Sequence, residues 1–389
     1  MQNDVMGGRE AFERKAWRET YDAFSRADAA TSLGADDLEA LATAAYMLGR
    51  DQEYLECLQR AHETHLEAGA IGPAVRCAFW VGMTLFLRGE VGPGSGWLGR
   101  ARRLVEQMDE DAVERAYLRI PAAFELEASG DLVGAAAIAG EAAATAQRLG
   151  DADGFALAAH TQGQMLIGAG RVHEGLALLD EAMVVVTSGR LAPIPTGIVY
   201  CAVILTCQRV YEPRRASQWT EALSRWTAEQ PDLVAFTGRC LVHRAEIMQL
   251  RGSWADALEE ARRASERFAL QVNPAGRGVA FYRQGELRRL QGDFVAAERA
   301  YAEASREGWD PQPGLAQLRL AQGKLDAAAA ATRRALSETA DPLKRAALLP
   351  AHVEIMLALE EVDGARAASS QLDELAAAYA TDMLRALAA

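Results

Sequence analysis

The sequence has 389 residues, of which 50% are hydrophobic and 24% are charged. It is long enough for two domains or one extended repeat array, and too apolar to be wholly disordered. Acidic residues (54) outnumber basic ones (41), and the formal charge is −13. A surface of this sign repels phosphate backbones and anionic lipid, so we expect neither a nucleic acid nor a membrane partner for this chain alone.

The cysteines indicate a reducing compartment. Five are present, at Cys57, Cys77, Cys201, Cys207 and Cys240, with no CxxC pair and no regular spacing. A sparse, odd set argues against a disulfide framework. The opening MQNDVMGGREAFERKAW also lacks the basic patch and apolar stretch of a signal peptide. We therefore predict a cytoplasmic location.

One short phrase recurs along the chain: a glycine after an apolar helical stretch, then a polar residue, then an apolar one. The glycines are Gly49, Gly89, Gly130, Gly170, Gly252, Gly292 and Gly323. Their intervals are 40, 41, 40, 82, 40 and 31 residues. The interval of 82 is twice 41, and Tyr211 lies where the absent glycine is expected. Self-similarity at a fixed period is the signature of tandem structural repeats.

Each phrase divides two predicted helices, because apolar residues recur at 3.6 spacing on both sides of the glycine. The glycine supplies the left-handed conformation that ends the first helix. Small residues seven positions before the glycine allow close approach of the two helices, and a large residue nine positions after it fills the space between pairs. The small set is Gly82, Gly163, Ala245 and Gly285; the large set includes Leu98, Leu179 and Tyr301. We predict an all-α chain of about 20 helices.

The pattern is that of tetratricopeptide repeats, although its period of 40–41 exceeds the standard 34. We interpret residues 1–389 as one right-handed superhelical α-solenoid of about ten helix pairs. Residues 1–310 form regular repeats and residues 311–389 form shorter ones, of which the first is predicted to have a clipped first helix. Trp17 and Trp254 each lie two positions after a turn and are predicted to be core residues.

Two stretches, GRVHEGLALLDEAMVVV (170–186) and residues 211–264, resemble the superhelical sensor region of LuxR-type transcription regulators, which include the maltose-system activator. The resemblance implies an effector bound in the superhelix groove and DNA binding through a C-terminal helix-turn-helix. Neither that motif nor a Walker G-x-x-x-x-G-K-[ST] occurs in this sequence. Residues 381–389 read as the start of another first helix. This predicts a fragment of a longer protein, with a natural cap as the alternative.

Motifs for catalysis or metal binding are weak. His62 and His65 have a spacing that can chelate a metal, but without HExxH we interpret them as a solvated helix end and predict no metal site. His243 and Glu246 are interpreted as an ion pair within a helix. The run at 92–96, Gly-Pro-Gly-Ser-Gly, is interpreted as a frayed or late-starting helix rather than a phosphate loop. No nucleophile triad fits a chain of helices, so we predict no enzyme and no cofactor.

The first helix of each pair lines the concave surface of such a solenoid. Projection onto that surface predicts an apolar wall of Phe79, Met83, Tyr117 and Phe124, and polar ligand contacts from His160, Gln164, Gln208, Arg239, Glu246 and Tyr282. Apolar walls with a few polar groups are typical of small-molecule sites. Two alternatives stay open: a tight superhelix buries this face, or Arg239 and Glu246 pair with each other or with Glu286 and Arg289.

Two functions follow from this surface. The first is an effector-sensing domain of a LuxR-type regulator that binds a small molecule in the groove. The alternative is a scaffold that holds a peptide or a helix in the same groove. A charged, open groove favours the scaffold, and an enclosed apolar pocket favours the sensor. A homodimer is compatible with both functions.

Overall fold

The computed structural model describes residues 2–269 and 274–389. This part of the chain forms 21 α-helices and contains no β-strand, which confirms the all-α prediction and the expected number of helices. Each helix within the described ranges is too short or insufficiently apolar to cross a lipid bilayer.

Successive helices form pairs joined by short turns. The first twelve are α1 Gln2–Glu13, α2 Trp17–Ala30, α3 Ala35–Met47, α4 Asp51–Glu67, α5 Ile71–Leu87, α6 Val91–Val105, α7 Glu114–Ala128, α8 Leu132–Leu149, α9 Ala152–Gly168, α10 Val172–Thr187, α11 Pro193–Arg209 and α12 Pro213–Ala228. The remainder are α13 Thr237–Leu250, α14 Trp254–Ala269, α15 Pro274–Leu290, α16 Phe294–Arg306, α17 Gly314–Ala321, α18 Leu325–Glu338, α19 Pro342–Ala358, α20 Val362–Tyr379 and α21 Asp382–Ala388.

The turn inside each pair has one left-handed residue. Gly89 has φ 81° and Gly252 has φ 80°, a conformation that costs glycine little. Tyr211 has φ 61°, which confirms that it occupies the slot without a glycine. Lys15 (φ 58°) and Glu360 (φ 62°) occupy the same slot in the first and tenth pairs. The turn at residue 15 agrees with the predicted position of Trp17 two residues after a turn, whereas the glycine pattern did not reveal the turn at Glu360.

The paired helices approach closely at the small residues seven positions before the turn. A Cβ atom added at Gly163 would lie 2.8 Å from the carbonyl oxygen of Gly175 and 2.9 Å from the Leu179 side chain. At Gly285 the added atom would lie 2.5 Å from the Tyr301 ring. The close approach at the small residue is confirmed, but the large residue nine positions after the turn packs on that small residue within the same pair, whereas the prediction placed it between pairs.

Three local predictions have a definite outcome. The run at 92–96 does not delay its helix, because α6 begins at Val91; a Cβ added at Gly94 would lie 3.0 Å from the Gly82 carbonyl oxygen. This close contact with α5 outweighs the poor helix propensity of glycine.

Trp17 is buried as predicted, but Trp254 is 37% exposed, so its prediction as a core residue is wrong. The clipped first helix is confirmed: α17 has 8 residues.

The chain divides into two compact units, and the division falls within α11 and α12. Unit 1 is Met1–Ala202 with Leu223–Phe236, and unit 2 is Val203–Ala222 with Thr237–Ala389. The main core of unit 1 surrounds Trp17, Phe24 and Leu38 and also includes Leu233 and Ala235. Unit 2 has several smaller cores in succession, around Phe268, Leu287, Tyr301 and Ile355.

Candidate ligand-binding site

In unit 1, the predicted apolar wall contacts the protein itself. Phe79 and Tyr117 are 2% and 4% exposed, and their rings meet edge to face with centroids 5.3 Å apart. The Tyr117 hydroxyl donates to Asp151 Oδ1 at 3.2 Å. Met83 is also buried, and Phe124 packs against a core cluster that includes Met165. Self-burial of this face, one of the two open alternatives, therefore holds for Phe79, Met83 and Tyr117.

His160 and Gln164 lie one turn apart on α9. His160 is 5% exposed, and its Nδ1 atom donates to the Ala156 carbonyl oxygen at 3.1 Å. Burial lowers the pKa of His160 to about 4, so the imidazole is neutral at pH 7. Gln164 is half-buried. The ligand contacts proposed for these two residues stay predictions.

A segment at 229–236 crosses the core of unit 1, and the repeat pattern does not predict it. The Trp17 indole Nε1 donates to Gln230 Oε1 at 3.2 Å. The Met47 carbonyl oxygen accepts from the backbone N–H groups of Val234 and Ala235, at 2.9 and 3.1 Å. Leu233 is 5% exposed. The apolar run LVAF at 233–236, directly after Pro231 and Asp232, is the signal that identifies a buried segment in retrospect.

In unit 2, the predicted polar contacts gather into one connected group. The polar cluster consists of Gln208 on α11, Arg239, His243 and Glu246 on α13, and Arg283 on α15. His243 Nδ1 donates to Gln208 Oε1 at 2.9 Å, and Arg283 forms an ion pair with Glu246. The Arg283 guanidinium lies 5.8 Å from the centre of the Tyr282 ring. All four residues predicted for this unit thus belong to the cluster or adjoin it.

Two sequence interpretations of the cluster are wrong. Glu246 pairs with Arg283 of the next first helix and not with His243, because the long arginine reaches across to α13. Glu246 and Arg239 also do not pair with Glu286 and Arg289, which pair with each other at 3.1 Å. Arg239 has no carboxylate partner among the described residues. It supplies a cation next to His243 instead.

The electrostatics of the polar cluster favour a neutral histidine between two arginines. His243 is 1% exposed. Burial, followed by the charges of Arg239 and Arg283, lowers the pKa of His243 well below its usual range. With Nδ1 donating to Gln208, the neutral ring presents a lone pair on Nε2. Glu246 balances Arg283, and the positive charge of Arg239 is left in excess.

Three buried nitrogen atoms of this cluster have no hydrogen-bond partner within the described residues. They are Gln208 Nε2, His243 Nε2 and Arg283 Nε. The Gln208 amide and the Arg283 Nε–H group are donors, whereas His243 Nε2 is an acceptor. Buried polar groups are nearly always paired in native proteins. Within the described residues, the cluster therefore leaves two donors and one acceptor without a partner, next to the positive charge of Arg239.

The histidines of α4 were also misjudged from sequence. His62 is 0% and His65 is 5% exposed, so the prediction of a solvated helix end is wrong. His62 Nδ1 donates to the Ala74 carbonyl oxygen at 2.7 Å, and burial lowers the pKa of His62. His65 Nε2 lies 2.6 Å from Glu39 Oε1. Both rings are buried because α4 packs against α3 and α5.

A groove of about 390 Å³ lies between α6, α7 and α8, over an apolar floor that includes Val105 and Leu118. Its arginines already have partners. Arg102 donates to Glu125 at 2.6 Å, and Arg115 donates to backbone carbonyl oxygens. Arg119 lies 3.5 Å from Glu141. The groove thus lacks the unpartnered buried groups that distinguish the polar cluster.

No family model matches the sequence, and no curated protein matches it either. Among solved structures, the chain is similar to a Rap protein complexed with Competence and Sporulation Factor. The identity is 14% and the TM-score 0.60, over 88% of this chain and 99% of that one. An identity this low shows the fold alone.

Two further similarities are weaker. A tetratricopeptide repeat protein from Parabacteroides merdae is 17% identical, with a TM-score of 0.45 over 71% of this chain and 98% of that one. A signal-transduction ATPase with a tetratricopeptide repeat sensor, from Pyrococcus horikoshii, is 11% identical, with a TM-score of 0.45 over 74% of this chain and 44% of that one. The helix pairs, their turns and the Rap similarity lead to one conclusion: this chain has the all-α helical-repeat fold of tetratricopeptide repeat proteins.

Proposed function

We propose that the chain is a ligand-binding repeat domain, and that the polar cluster of unit 2 contacts a carboxylate of the ligand. One observation carries this proposal: two buried donors, on Gln208 and Arg283, lack an acceptor among the described residues. A carboxylate accepts from both, and Arg239 balances its charge. The proposed role is binding without catalysis.

The unpartnered groups also predict selectivity. A buried donor or acceptor without a partner costs about 1–3 kcal/mol, so a ligand that supplies the partner regains that free energy. A site of this kind discriminates strongly against analogues that lack the matching group. His243 Nε2 requires a donor next to the carboxylate. A hydroxy acid, an acylamino acid and a peptide C-terminus share this chemistry.

We propose further that the ligand is an effector and that the chain is the sensing region of a LuxR-type transcriptional regulator. The stretch 211–264, which carries part of the sequence resemblance, contains Arg239, His243 and Glu246. A ligand that binds one conformation of unit 2 more tightly shifts the population toward that conformation. DNA binding then depends on a helix-turn-helix outside this sequence, and this chain alone is expected not to bind duplex DNA.

No disulfide joins the five described cysteines, which supports the expected cytoplasmic location.

The second candidate is a scaffold for an acidic peptide. The charged character of the polar cluster favours it, because Arg239, Arg283 and Glu246 lie within one group. A peptide C-terminus offers a carboxylate and a neighbouring N–H group. The sensor and the scaffold thus share the same recognition chemistry and differ in the size of the ligand.

The test is thermal stabilisation of the full chain with two sets of probes. One set contains small hydroxy and acylamino acids; the other contains acidic peptides, each with a free and an amidated C-terminus. At about 100 times its Kd a ligand stabilises the native state by about 2.7 kcal/mol. Stabilisation by the small acids and not by the peptides supports the sensor. Peptides that lose their effect on amidation support the scaffold.

Variants locate the site. Arg239→Gln should abolish most of the stabilisation, whereas Arg267→Gln, an exposed arginine on α14, should respond like the parent. Phe124→Ala and Gln164→Ala report on the surface predicted in unit 1. If these two lose the response and Arg239→Gln keeps it, the ligand binds in unit 1 and the assignment to the polar cluster is wrong.

A further inference from the structure

Three potential metal ligands of different chemistry converge in unit 1, away from the polar cluster. Glu39 lies on α3, His65 on α4 and Cys77 on α5. His65 Nε2 is 2.6 Å from Glu39 Oε1. One ligand atom from each of the three side chains lies within 4.8 Å of the other two. His65 and Cys77 are 5% and 1% exposed, whereas the Glu39 side chain is 39% exposed.

This combination of donors matches zinc. Zinc takes histidine nitrogen and carboxylate oxygen at about 2.0–2.2 Å and thiolate sulfur at about 2.3 Å, in tetrahedral geometry. Three protein ligands leave the fourth position for water, and the exposed side of Glu39 provides access from solvent. Because the imidazole and carboxylate atoms are already in contact, they need to separate by only about 1 Å to accept a tetrahedral ion between them.

We propose that Glu39, His65 and Cys77 form a binding site for a divalent transition metal of the zinc type. His65 binds through the Nε2 lone pair and Glu39 through a carboxylate oxygen. The Cys77 S–H bond breaks, its proton leaves to solvent, and the sulfur lone pair forms the bond to the metal. No electron is transferred. The site lies in unit 1 and is independent of the proposed function.

Two features characterise the proposed site: its thiol is protonated in the absence of metal, and no linear sequence motif connects its ligands. Burial, with the Glu39 carboxylate nearby, raises the pKa of the Cys77 thiol, so the free site keeps its proton until a metal displaces it. His65 is 26 residues from Glu39, and no linear motif spans the three ligands. His62, which does have a chelating spacing from His65, bonds instead to the Ala74 carbonyl oxygen.

Cobalt(II) is the direct probe, since a cobalt–thiolate bond gives an ultraviolet charge-transfer band. The full chain should develop this band on titration with Co²⁺, and Zn²⁺ should displace it. Cys77→Ala should abolish the band. Cys57→Ala is the matched control, because Cys57 is also buried but lies outside the three-ligand group, and it should keep the band.

A second variant covers the case in which Cys77→Ala does not fold. Glu39→Gln changes a half-exposed side chain and should weaken cobalt binding by at least roughly 100-fold, since loss of a partner outside the ligand shell alone costs 10–100-fold. The absence of a charge-transfer band in the parent overturns the proposal. A band lost in Cys57→Ala and kept in Cys77→Ala overturns it too, as does a Co²⁺ affinity that Glu39→Gln leaves unchanged.

Discussion

The two units use the same helix pairs but differ at the positions predicted to face the concave surface. In unit 1 these positions hold Phe79 and Tyr117, whose rings contact each other and are buried. In unit 2 they hold Gln208, Arg239 and Glu246, which form a polar cluster with unpartnered buried nitrogens. One repeat pattern can therefore produce an apolar, self-filled interior in one unit and a buried polar cluster in the other.

The difference has a physical basis in free energy. Apolar side chains are stabilised by contact with any apolar neighbour, at about 25 cal/mol per Å² of buried surface, so the protein can fill such a surface with its own chain. The segment at 229–236 does this in unit 1, where Leu233 and Ala235 join the main core. Buried polar groups require partners of matching geometry, and the polar cluster of unit 2 lacks some of them.

The largest expected effect tests the apolar character of unit 1. Trp17→Ala should lower the free energy of unfolding by about 3–5 kcal/mol, because a fully buried indole leaves a large cavity. Trp254→Ala in unit 2 is the control. It is 37% exposed and should cost less than about 1 kcal/mol. Urea denaturation measures both, and equal losses would contradict the contrast between the two tryptophans.

The segment at 229–236 can be tested in the same way. Leu233→Ala should cost about 2–4 kcal/mol, since Leu233 is buried in the core of unit 1. Val184→Ala, at a 66% exposed position on α10, should change stability by less than about 0.5 kcal/mol. A loss below 1 kcal/mol for Leu233→Ala would show that the segment is not part of the core.

Burial of His160 predicts a pH dependence. Its pKa is about 4 in the folded chain and about 6.5 in the unfolded chain. Below pH 6.5 the unfolded state binds a proton that the native state does not. The contribution of His160 to the free energy of unfolding therefore falls by about 2 kcal/mol when the pH is lowered from 7 to 5. In His160→Gln this contribution should disappear. His173→Gln, at an exposed position on α10, should keep the full pH dependence of the parent. Urea unfolding at the two pH values distinguishes these outcomes.

In the polar cluster, removal of one charge should have a moderate effect. Glu246→Gln breaks the ion pair with Arg283. The side chain of Glu246 is 20% exposed and that of Arg283 is 17% exposed. We expect a loss of about 1–3 kcal/mol, less than for a fully buried pair. Glu259→Gln breaks an exposed pair on α14 and should leave the urea midpoint unchanged within error. A Glu246→Gln midpoint that also stays unchanged would mean that the pair is effectively solvated.

The smallest expected effect is a gain in stability. Glu360 is exposed and has φ 62°, a conformation that costs a residue with a Cβ about 1–2 kcal/mol. Glu360→Gly should therefore stabilise unit 2 by up to about 1 kcal/mol, after the extra entropy of the unfolded chain is subtracted. Glu360→Ala keeps the Cβ and should bring no such gain. Equal urea midpoints for the two variants would argue against strain at this turn.

The helices, their turns and part of the candidate site could be predicted from sequence. The position of Tyr211 in a glycine slot and the close approach of the paired helices at Gly163 are confirmed. Projection onto the first helices also selected Gln208, Arg239 and Glu246, which the structure places in one cluster. It missed Arg283, one position beyond the projected stripe, because projection places Cα atoms and does not follow a long side chain to its partner.

The sequence by itself determined the period, the all-α class and the positions of most turns, because 3.6-residue spacing and left-handed glycines act within a few residues. Only the tertiary structure decided that Glu39, His65 and Cys77 converge, and that Gln230 bonds to Trp17 across 213 positions. Periodicity determines which face of a helix a residue occupies. The partner that this face contacts depends on packing between distant segments, which local spacing does not encode.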